Sequence, residues 1–407
     1  MPSDAPCARR GRRRAPLLLA ASLGVAGLVA LSACGGSSGR GGAAGAAAAG
    51  ATILDTVPDT TPIGPPPAPP GPLTTDRTMA LAQKIAGDIS PKSVVASGRG
   101  LVFAQNMMYK HTVTVYGSDG SLKSTIPDTV NLADWGFTQY TGTRYQGAPV
   151  EVAFAPDGAH AYVTNYSMYG KGFGPEGNDS CLKNNKIDSS FVYRIDTTTL
   201  AIDQVIAVGK VPKYVAVTPD GRYLLVTNWC SYDLSVVDVA TGQEIKRIPL
   251  GPYPRGIAVA PDSSTAYVAV MGTSDMARID LGDLSTSWFR GVGSGPRHVV
   301  ISPDGSTLYA TLNAEGKVVK IDAATGKVIS KVATGQAPRS MTISTDGLSL
   351  YVVNYESDTV TKLRASDMSV LQTVPTNHNP IGITYDAASG DVWVACYTGT
   401  IMVFTDR

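Results

Sequence analysis

The sequence predicts an all-β fold, because a unit rich in β-forming residues returns at a fixed interval along its C-terminal part. Proline-led dipeptides recur every 42 residues, at Pro212, Pro254, Pro296, Pro338 and Pro380. Each proline is followed by a short apolar run, a turn such as the Pro-Asp-Gly at 219–221, and further runs of Val, Ile, Thr and Tyr. A period of this length with turn residues at fixed offsets is typical of a repeat architecture.

Each unit contains four short runs that have the character of strands. In the third unit these runs cover residues 214–217, 223–227, 234–237 and 244–248. Short runs separated by turns at this spacing predict a four-stranded antiparallel sheet. Both faces of such a sheet are apolar and must be covered by neighbouring sheets, which a closed ring achieves.

The number of units predicts the size of the ring. Earlier units start at Pro149 and Pro91, which brings the total to seven. The last unit, from Pro380, supplies only three strands, and residues 79–85 have the composition of the missing fourth. We therefore predict a seven-bladed β-propeller of four-stranded antiparallel blades, closed by an N-terminal strand in the last blade. Such closure removes exposed sheet edges.

The N-terminal region predicts export and attachment to a membrane. Five arginines among the first 14 residues precede an apolar run at 15–31, which is typical of an export signal. The following Leu31-Ser32-Ala33-Cys34 resembles the lipobox of bacterial lipoproteins, in which the cysteine becomes the lipidated N-terminus. This resemblance implies a signal peptide at 1–33 and a lipid on Cys34. An ordinary signal peptide or a single membrane anchor is the alternative, and the Sec or Tat route stays open.

Composition divides the rest of the chain into a tether and a folded domain. Residues 34–78 are rich in Gly, Ala and Pro and cannot bury apolar surface, so we expect a disordered tether followed by the propeller at 79–407. Removal of 1–33 changes the formal net charge from +1 to −3. A near-neutral mature chain argues against broad attraction to nucleic acid. We expect an extracytoplasmic monomer held on the cell membrane by its lipid.

A recurring tetrapeptide links the repeats to a known family. Tyr162-Val163-Thr164-Asn165 has variants ending at Asn228 and Asn354. These repeats resemble the YVTN-repeat propellers of the YncE family. The resemblance implies a seven-bladed extracytoplasmic propeller, but it leaves function open, because family members include surface-layer proteins and DNA-binding periplasmic proteins. Similar blades occur in lactonases and nitrite reductases.

Propeller connectivity predicts which end of the ring carries a binding site. Strand A, the innermost strand, starts at the same end at which strand B finishes. Two long insertions lie at that end, one over 128–145 in a D-to-A connection and one over 167–189 in a B-to-C connection. The connections at the other end are tight turns. Long loops on a rigid scaffold commonly bind ligands.

A set of basic residues is predicted to surround the channel at this end. The residue after the repeat proline is basic in five of seven units: Lys92, Lys213, Arg255, Arg297 and Arg339. Like charges around one opening repel, which favours a compensating anionic ligand. The alternative is that each cation pairs with a carboxylate of a nearby B-to-C loop, where five are available: Asp233, Asp275, Glu315, Glu356 and Asp358.

Amide and aromatic residues follow at the ends of the B strands. They include Asn165, Asn228, Trp229, Asn354 and Tyr355. As a recognition surface, cations, amides and flat rings suit a sugar, a phosphorylated metabolite, a peptide or unpaired bases. As architecture, the asparagines would cap strand ends and the rings would pack between blades. Both interpretations stay open.

The three remaining cysteines predict one disulfide. Cys181 lies in the long B-to-C insertion of the second unit and Cys230 in the B-to-C loop of the third, and adjacent blades place these loops side by side. In an oxidising compartment we expect them to form a disulfide. Cys396, in the seventh unit, is expected to be a buried free thiol.

Catalytic and metal signals are weak, so we predict no catalytic residue, no metal site and no cofactor. The four histidines lack ligand spacing, and neither a haem-attachment motif nor a nucleophile elbow is present. One enzymatic alternative is a metal-dependent lactonase, with Glu151, Asn165 and Asn228 holding Ca²⁺ or another divalent cation. Another alternative is a surface scaffold without a small ligand. The favoured function is a lipid-anchored binding module of the cell envelope, with an envelope protein, a glycan or an anionic small molecule as partner.

Overall fold

A computed structural model describes residues 72–175, 180–181 and 186–407. The predicted signal peptide, the lipidation site Cys34 and the tether as far as residue 71 lie outside these residues. Within the described ranges, no helix is both long enough and apolar enough to span a bilayer.

The strands form seven antiparallel sheets in the part of the chain that the structure describes, which confirms the predicted fold class. From strand A outward, blade 1 contains Pro91–Ala96, Leu101–Asn106, Thr112–Gly117 and Leu122–Pro127. Blade 2 contains Tyr145–Phe154, His160–Tyr169, Ser189–Asp196 and Ala201–Lys210. Blade 3 contains Pro212–Val217, Tyr223–Asn228, Asp233–Asp238 and Gln243–Pro249. Blade 4 contains Pro254–Val259, Thr265–Val270, Asp275–Asp280 and Thr286–Phe289. Blade 5 contains Pro296–Ile301, Thr307–Leu312, Lys317–Asp322 and Val328–Ala333. Blade 6 contains Pro338–Ile343, Ser349–Asn354, Thr359–Arg364 and Val370–Pro375. Blade 7 contains Pro380–Asp386, Asp391–Cys396, Thr400–Asp406 and Met79–Ala86.

The A strands surround a central channel. Strand A of each blade contacts strand A of the next, and strand A of blade 7 contacts that of blade 1, so the ring is closed. A layer of buried apolar side chains lies between each pair of neighbouring blades, as Leu225 and Val236 of blade 3 do against Val268 and Ile279 of blade 4. The blades are therefore stabilised by stacking on one another rather than by one common core.

The last blade combines the two ends of the described chain, as the sequence predicts. Met79–Ala86 pairs antiparallel with Thr400–Asp406, and Met79 lies opposite Asp406. A buried ion pair reinforces this closure, because the Lys362 ammonium in blade 6 lies 2.6 Å from Asp406 and both side chains are inaccessible to solvent. The Tyr351 hydroxyl donates a hydrogen bond to the same carboxylate at 2.5 Å.

Each A strand begins with an irregularity that the sequence does not reveal. In blade 3, Pro212 pairs with Asn228 and Tyr214 with Thr227, so that Lys213 is an extra residue in a β-bulge. The pairing of strand A shifts after the repeat proline in the other six blades as well. A bulge interrupts the alternation of side chains. As a result, in blades 2, 3, 5 and 6 the residue after the proline and the one that follows it both line the same end of the channel.

Two insertions enlarge blade 2. Strand A begins before its proline, at Tyr145, and a short extra strand, Thr129–Val130, pairs with it. A 3-10 helix, Leu132–Trp135, follows the extra strand. A second 3-10 helix, Thr74–Asp76, lies just before Met79–Ala86, the outer strand of blade 7. Tyr140 of the first insertion stacks on Phe173 of the second, with ring centroids 4.9 Å apart. The two insertions thus pack on each other at one end of the ring.

Candidate functional site

The structure brings the five predicted cations together at one end of the central channel. We call this opening the channel mouth, lined by Lys92, Val150, Glu151, Lys213, Tyr214, Arg255, Arg297, His298, Arg339, Ser340 and Ile381. The side chains leave only about 20 Å³ of free space between them. Such a volume holds a water molecule or two, so the mouth is a narrow constriction.

Burial and mutual repulsion act on the cations of the mouth. Burial lowers the pKa of Lys92 well below its usual value, and the charges of Lys213, Arg255, Arg339 and Arg297 lower it further. Burial and the charge of Arg339 lower the pKa of Arg255 to about 10. Arg297 is only 6% exposed, and burial together with Arg255 lowers its pKa strongly. These shifts mean that holding the charges here costs folding free energy.

Aromatic rings at the ends of the B strands contact most of these cations. The Lys213 ammonium lies 3.8 Å from the ring centre of Tyr166, and the Arg339 guanidinium lies 3.5 Å from that of Tyr355. Trp229 is approached by both Lys213 and Arg255, at 5.1 and 5.5 Å. Lys92 lies 4.9 Å from Tyr397 in blade 7. Cation–π contacts offset part of the cost of gathering the charges and hold the side chains toward the channel.

Four of the five loop carboxylates that were candidate partners for the cations form ion pairs outside the mouth. Each interacts with a basic residue outside the mouth: Asp233 with Arg247, Asp275 with Arg290, Glu315 with Lys331, and Asp358 with His378. For these four carboxylates the predicted alternative of a salt-bridged ring is therefore wrong. Among the residues that the structure describes, Glu151 is the acidic side chain in the lining of the mouth.

Two of the asparagines at the ends of the B strands have a structural role. The Asn228 amide donates to the Asp233 carboxylate and the Ser235 hydroxyl at 2.7 and 2.8 Å. Asn354 donates in the same way to Thr359 and Thr361 of its own blade, at 3.1 and 3.0 Å. These two asparagines and Asn165 are fully buried and do not line the mouth. The prediction that Asn228 and Asn354 contact a ligand is corrected, because their amides donate within their own blades. The Asn165 amide is buried and has no hydrogen-bond partner among the described residues.

A second ring of residues lies directly below the cations. Glu151, Tyr214 and His298 line both the mouth and a deeper cavity of about 160 Å³, which we call the chamber. The Tyr214 hydroxyl and His298 Nε2 are hydrogen-bonded at 3.0 Å. Burial, with the charges of Arg255 and Arg297, lowers the pKa of His298 to about 3, so its imidazole is neutral at physiological pH.

Glu151 is the titratable group of this ring near neutral pH. Burial raises the pKa of its carboxyl from 4.5 to about 7, although Arg255 and Lys92 favour the charged form. Between these two values the folded protein binds more protons than the unfolded chain, so this residue's contribution to stability falls as pH rises. From the sequence, Glu151 was a candidate only as a metal ligand. Glu151, Tyr214 and His298 share a position two residues after a repeat proline. Regular strand alternation would direct that position away from the channel, so no sequence signal identified this ring.

The variant Glu151→Gln tests this titration. Because glutamine cannot ionise, the variant should gain about 2–3 kcal/mol of unfolding free energy relative to the wild type between pH 5 and pH 8. Urea unfolding at several pH values measures the difference. Glu356→Gln, at an exposed site, is the control. Parallel pH profiles for the wild type and the Glu151 variant would contradict the expected burial cost.

The disulfide connects the second insertion to the mouth. Cys181 and Cys230 are bonded, and Cys396 is buried with a free thiol. The Tyr232 hydroxyl also donates to the Cys181 carbonyl at 3.2 Å. Since Trp229 precedes Cys230, the disulfide attaches the insertion beside an aromatic ring that contacts two of the cations.

The structure does not assemble the ligands of the metal-dependent alternative. Asn165 and Asn228 are buried in separate blades, and Glu151 lies among cations. Among the described residues, the one acidic group with the spacing of a metal site is His160, Asp196 and Asp203, at the opposite end of the ring. Arg194 already donates two hydrogen bonds to Asp203, at 2.8 and 3.1 Å.

Together these features define a seven-bladed β-propeller whose channel mouth gathers five basic side chains. Residues 178–367 match the family model described as YNCE-like beta-propeller, which confirms the resemblance inferred from the repeat tetrapeptides. No curated protein matches the sequence.

Two solved structures of similar fold belong to proteins with different names and organisms. A structure of Kuenenia stuttgartiensis hydrazine synthase aligns with a TM-score of 0.61 and 18% identity, covering 78% of this chain and 96% of that chain. Virginiamycin B lyase from Staphylococcus aureus aligns with a TM-score of 0.60 and 15% identity, covering 81% of this chain and 99% of that chain. At this level of identity the likeness is one of fold.

Proposed function

We propose that this protein is a lipid-anchored, extracytoplasmic binding module of the cell envelope that holds a small anionic ligand at its channel mouth. The observation that carries the proposal is the convergence of Lys92, Lys213, Arg255, Arg297 and Arg339 on one constriction. Their charges depress the pKa of Lys92, Arg255 and Arg297, so gathering the cations at one place is electrostatically unfavourable. An anion in the constriction removes this cost.

The chemistry of the mouth defines the charged group of the ligand. Guanidinium and ammonium groups form short, charge-assisted hydrogen bonds to carboxylate and phosphoryl oxygens, and arginine does so in a bidentate fashion. The low accessibility of the mouth limits screening by salt and strengthens these bonds. The anchor and the location rest on the predicted signal at 1–33 and Cys34.

Titration of the purified protein with inorganic phosphate and with acetate tests the proposal. We expect saturable binding of one anion per chain and a rise in melting temperature with anion concentration, because a ligand that binds only the folded state stabilises it. Isothermal titration calorimetry and thermal unfolding measure the two effects. The same titration with choline as a cationic probe is the control. Absence of saturable binding for both anions at millimolar concentrations would refute the proposal.

A further inference from the structure

The chamber below the mouth has the size of a single small ring. Its volume of about 160 Å³ is close to that of cavities that accept a six-membered carbon ring. The mouth itself offers far less space. A ligand with its charged group at the cations therefore has room for a body about the size of one small ring directly beneath them, and for little more.

The walls of the chamber carry both polar and apolar groups. The apolar part comes from residues deeper in the A strands: Val95, Val300, Met341 and Ile383. Thr342 and Thr384 add hydroxyls, each of which accepts a hydrogen bond from a backbone N–H, at 3.3 and 3.2 Å. A hydroxyl that accepts in this way keeps its hydrogen as a donor. Mixed walls of this kind suit a body with hydroxyl groups around a compact carbon skeleton.

His298 provides a buried polar atom without a partner. Its Nε2 is hydrogen-bonded to Tyr214, whereas its Nδ1 is buried and has no hydrogen-bond partner among the described residues. A buried polar atom that lacks a partner costs about 1–3 kcal/mol. A ligand hydroxyl in the chamber can supply the partner whichever tautomer the ring adopts, since a hydroxyl both donates and accepts.

Glu151 limits the charge of that body. Its carboxyl lines both the mouth and the chamber, between the cations above and the neutral Tyr214 and His298. A second anionic group placed in the chamber would approach Glu151 and lie away from the cations. The favoured ligand therefore carries its negative charge at one end only.

We propose that the site takes a polyol of monosaccharide size with a single anionic group, the anion at the cations and the hydroxylated ring in the chamber. This inference rests on the proposed anion-binding function. The anionic group is a phosphate ester or a carboxylate, as in a sugar phosphate or a sugar acid. Entry requires rearrangement of the lysine and arginine side chains that line the mouth.

Calorimetric titration with a matched series of probes tests the inference on the whole protein. Glucose 6-phosphate should bind at least about tenfold more tightly than inorganic phosphate, or glucuronate at least tenfold more tightly than acetate, and the larger gain identifies the anionic group. Glucose alone should bind at least 100-fold more weakly than the better of these ligands. Fructose 1,6-bisphosphate, with two charged ends, should bind less tightly than glucose 6-phosphate.

Two variants of Thr384 test whether the preference for sugar derivatives over simple anions arises in the chamber. Thr384→Val removes a hydroxyl and should reduce the preference for the sugar derivative over the simple anion by about fivefold or more. Thr384→Ser keeps the hydroxyl and should retain the preference, which also controls for loss of folding. If sugar derivatives and simple anions bind equally, or if benzoate binds more tightly than glucuronate, the inference is wrong although the mouth still binds anions. If no anion binds, the proposed function fails as well.

Discussion

The double variant Arg255→Ala/Arg297→Ala is expected to bind inorganic phosphate at least about 100-fold more weakly than the wild type. Each charge-assisted hydrogen bond contributes about 1.5–3 kcal/mol, so the loss of two guanidinium groups removes about 3–6 kcal/mol. Calorimetry under identical ionic strength measures the change. The three remaining cations keep the mouth positive, so residual weak binding is consistent with this expectation.

The same variant should melt at a higher temperature than the wild type when no ligand is present. Burial lowers the pKa of both arginines and each charge lowers the pKa of its neighbours, which means that the folded state disfavours their protonated forms. Removing the charges relieves this cost. Arg222→Ala removes a charge from an exposed turn at the other end of the ring and is the control. A lower melting temperature with unchanged phosphate affinity would indicate a structural role for these arginines instead.

Lys362→Met is expected to lower the free energy of unfolding by about 3–5 kcal/mol. Asp406, which is 1% exposed, would keep a buried charge without its cationic partner, and the cost of such a charge is large. The Lys362 ammonium also donates to the Arg77 carbonyl at 2.9 Å, just before the N-terminal strand. The loss should therefore be concentrated at the closure of the ring.

Chemical unfolding and hydrogen exchange measure this effect. Exchange should accelerate in Met79–Ala86, because Met79 pairs with Asp406. Lys320→Met is a matched control, since Lys320 occupies the equivalent position in blade 5 but donates to the carbonyls of Ala365 and Ser366 rather than to a carboxylate. The double change Lys362→Met/Asp406→Leu should recover much of the stability, because neither charge is then left unpaired. A Lys362 variant as stable as the Lys320 control would contradict this account.

The repeat made most of the fold predictable. Runs expected at 214–217 and 223–227 correspond to the strands Pro212–Val217 and Tyr223–Asn228, and the expected closing strand at 79–85 corresponds to Met79–Ala86. Strand ends differ by one or two residues because pairing continues into positions with less β-forming character. The insertions were located correctly, but part of each one extends the strands of blade 2 beyond the repeat, which no periodic pattern could show.

Of the candidate site, only the ring of cations at the channel mouth was predictable from the sequence. Lys213 and Arg255 were identifiable because equivalent positions of a circular repeat meet at the same place around the axis. Tyr214 and His298 were not, because regular alternation would direct the residue after each cation away from the channel. The amide of Asn228 was misassigned, since its hydrogen-bond partners lie on the next strand and not at the rim.

The amino-acid sequence by itself determined the number of blades, the end of the ring that carries the insertions and the gathering of cations there, since each follows from period and connectivity. Tertiary structure alone decided that a bulge directs two successive residues of strand A into the channel, that Glu151 lies beneath the cations, and that Lys362 meets Asp406 across two blades. These features depend on hydrogen-bond register and on contacts between residues distant in the chain. A one-dimensional pattern carries no information about either.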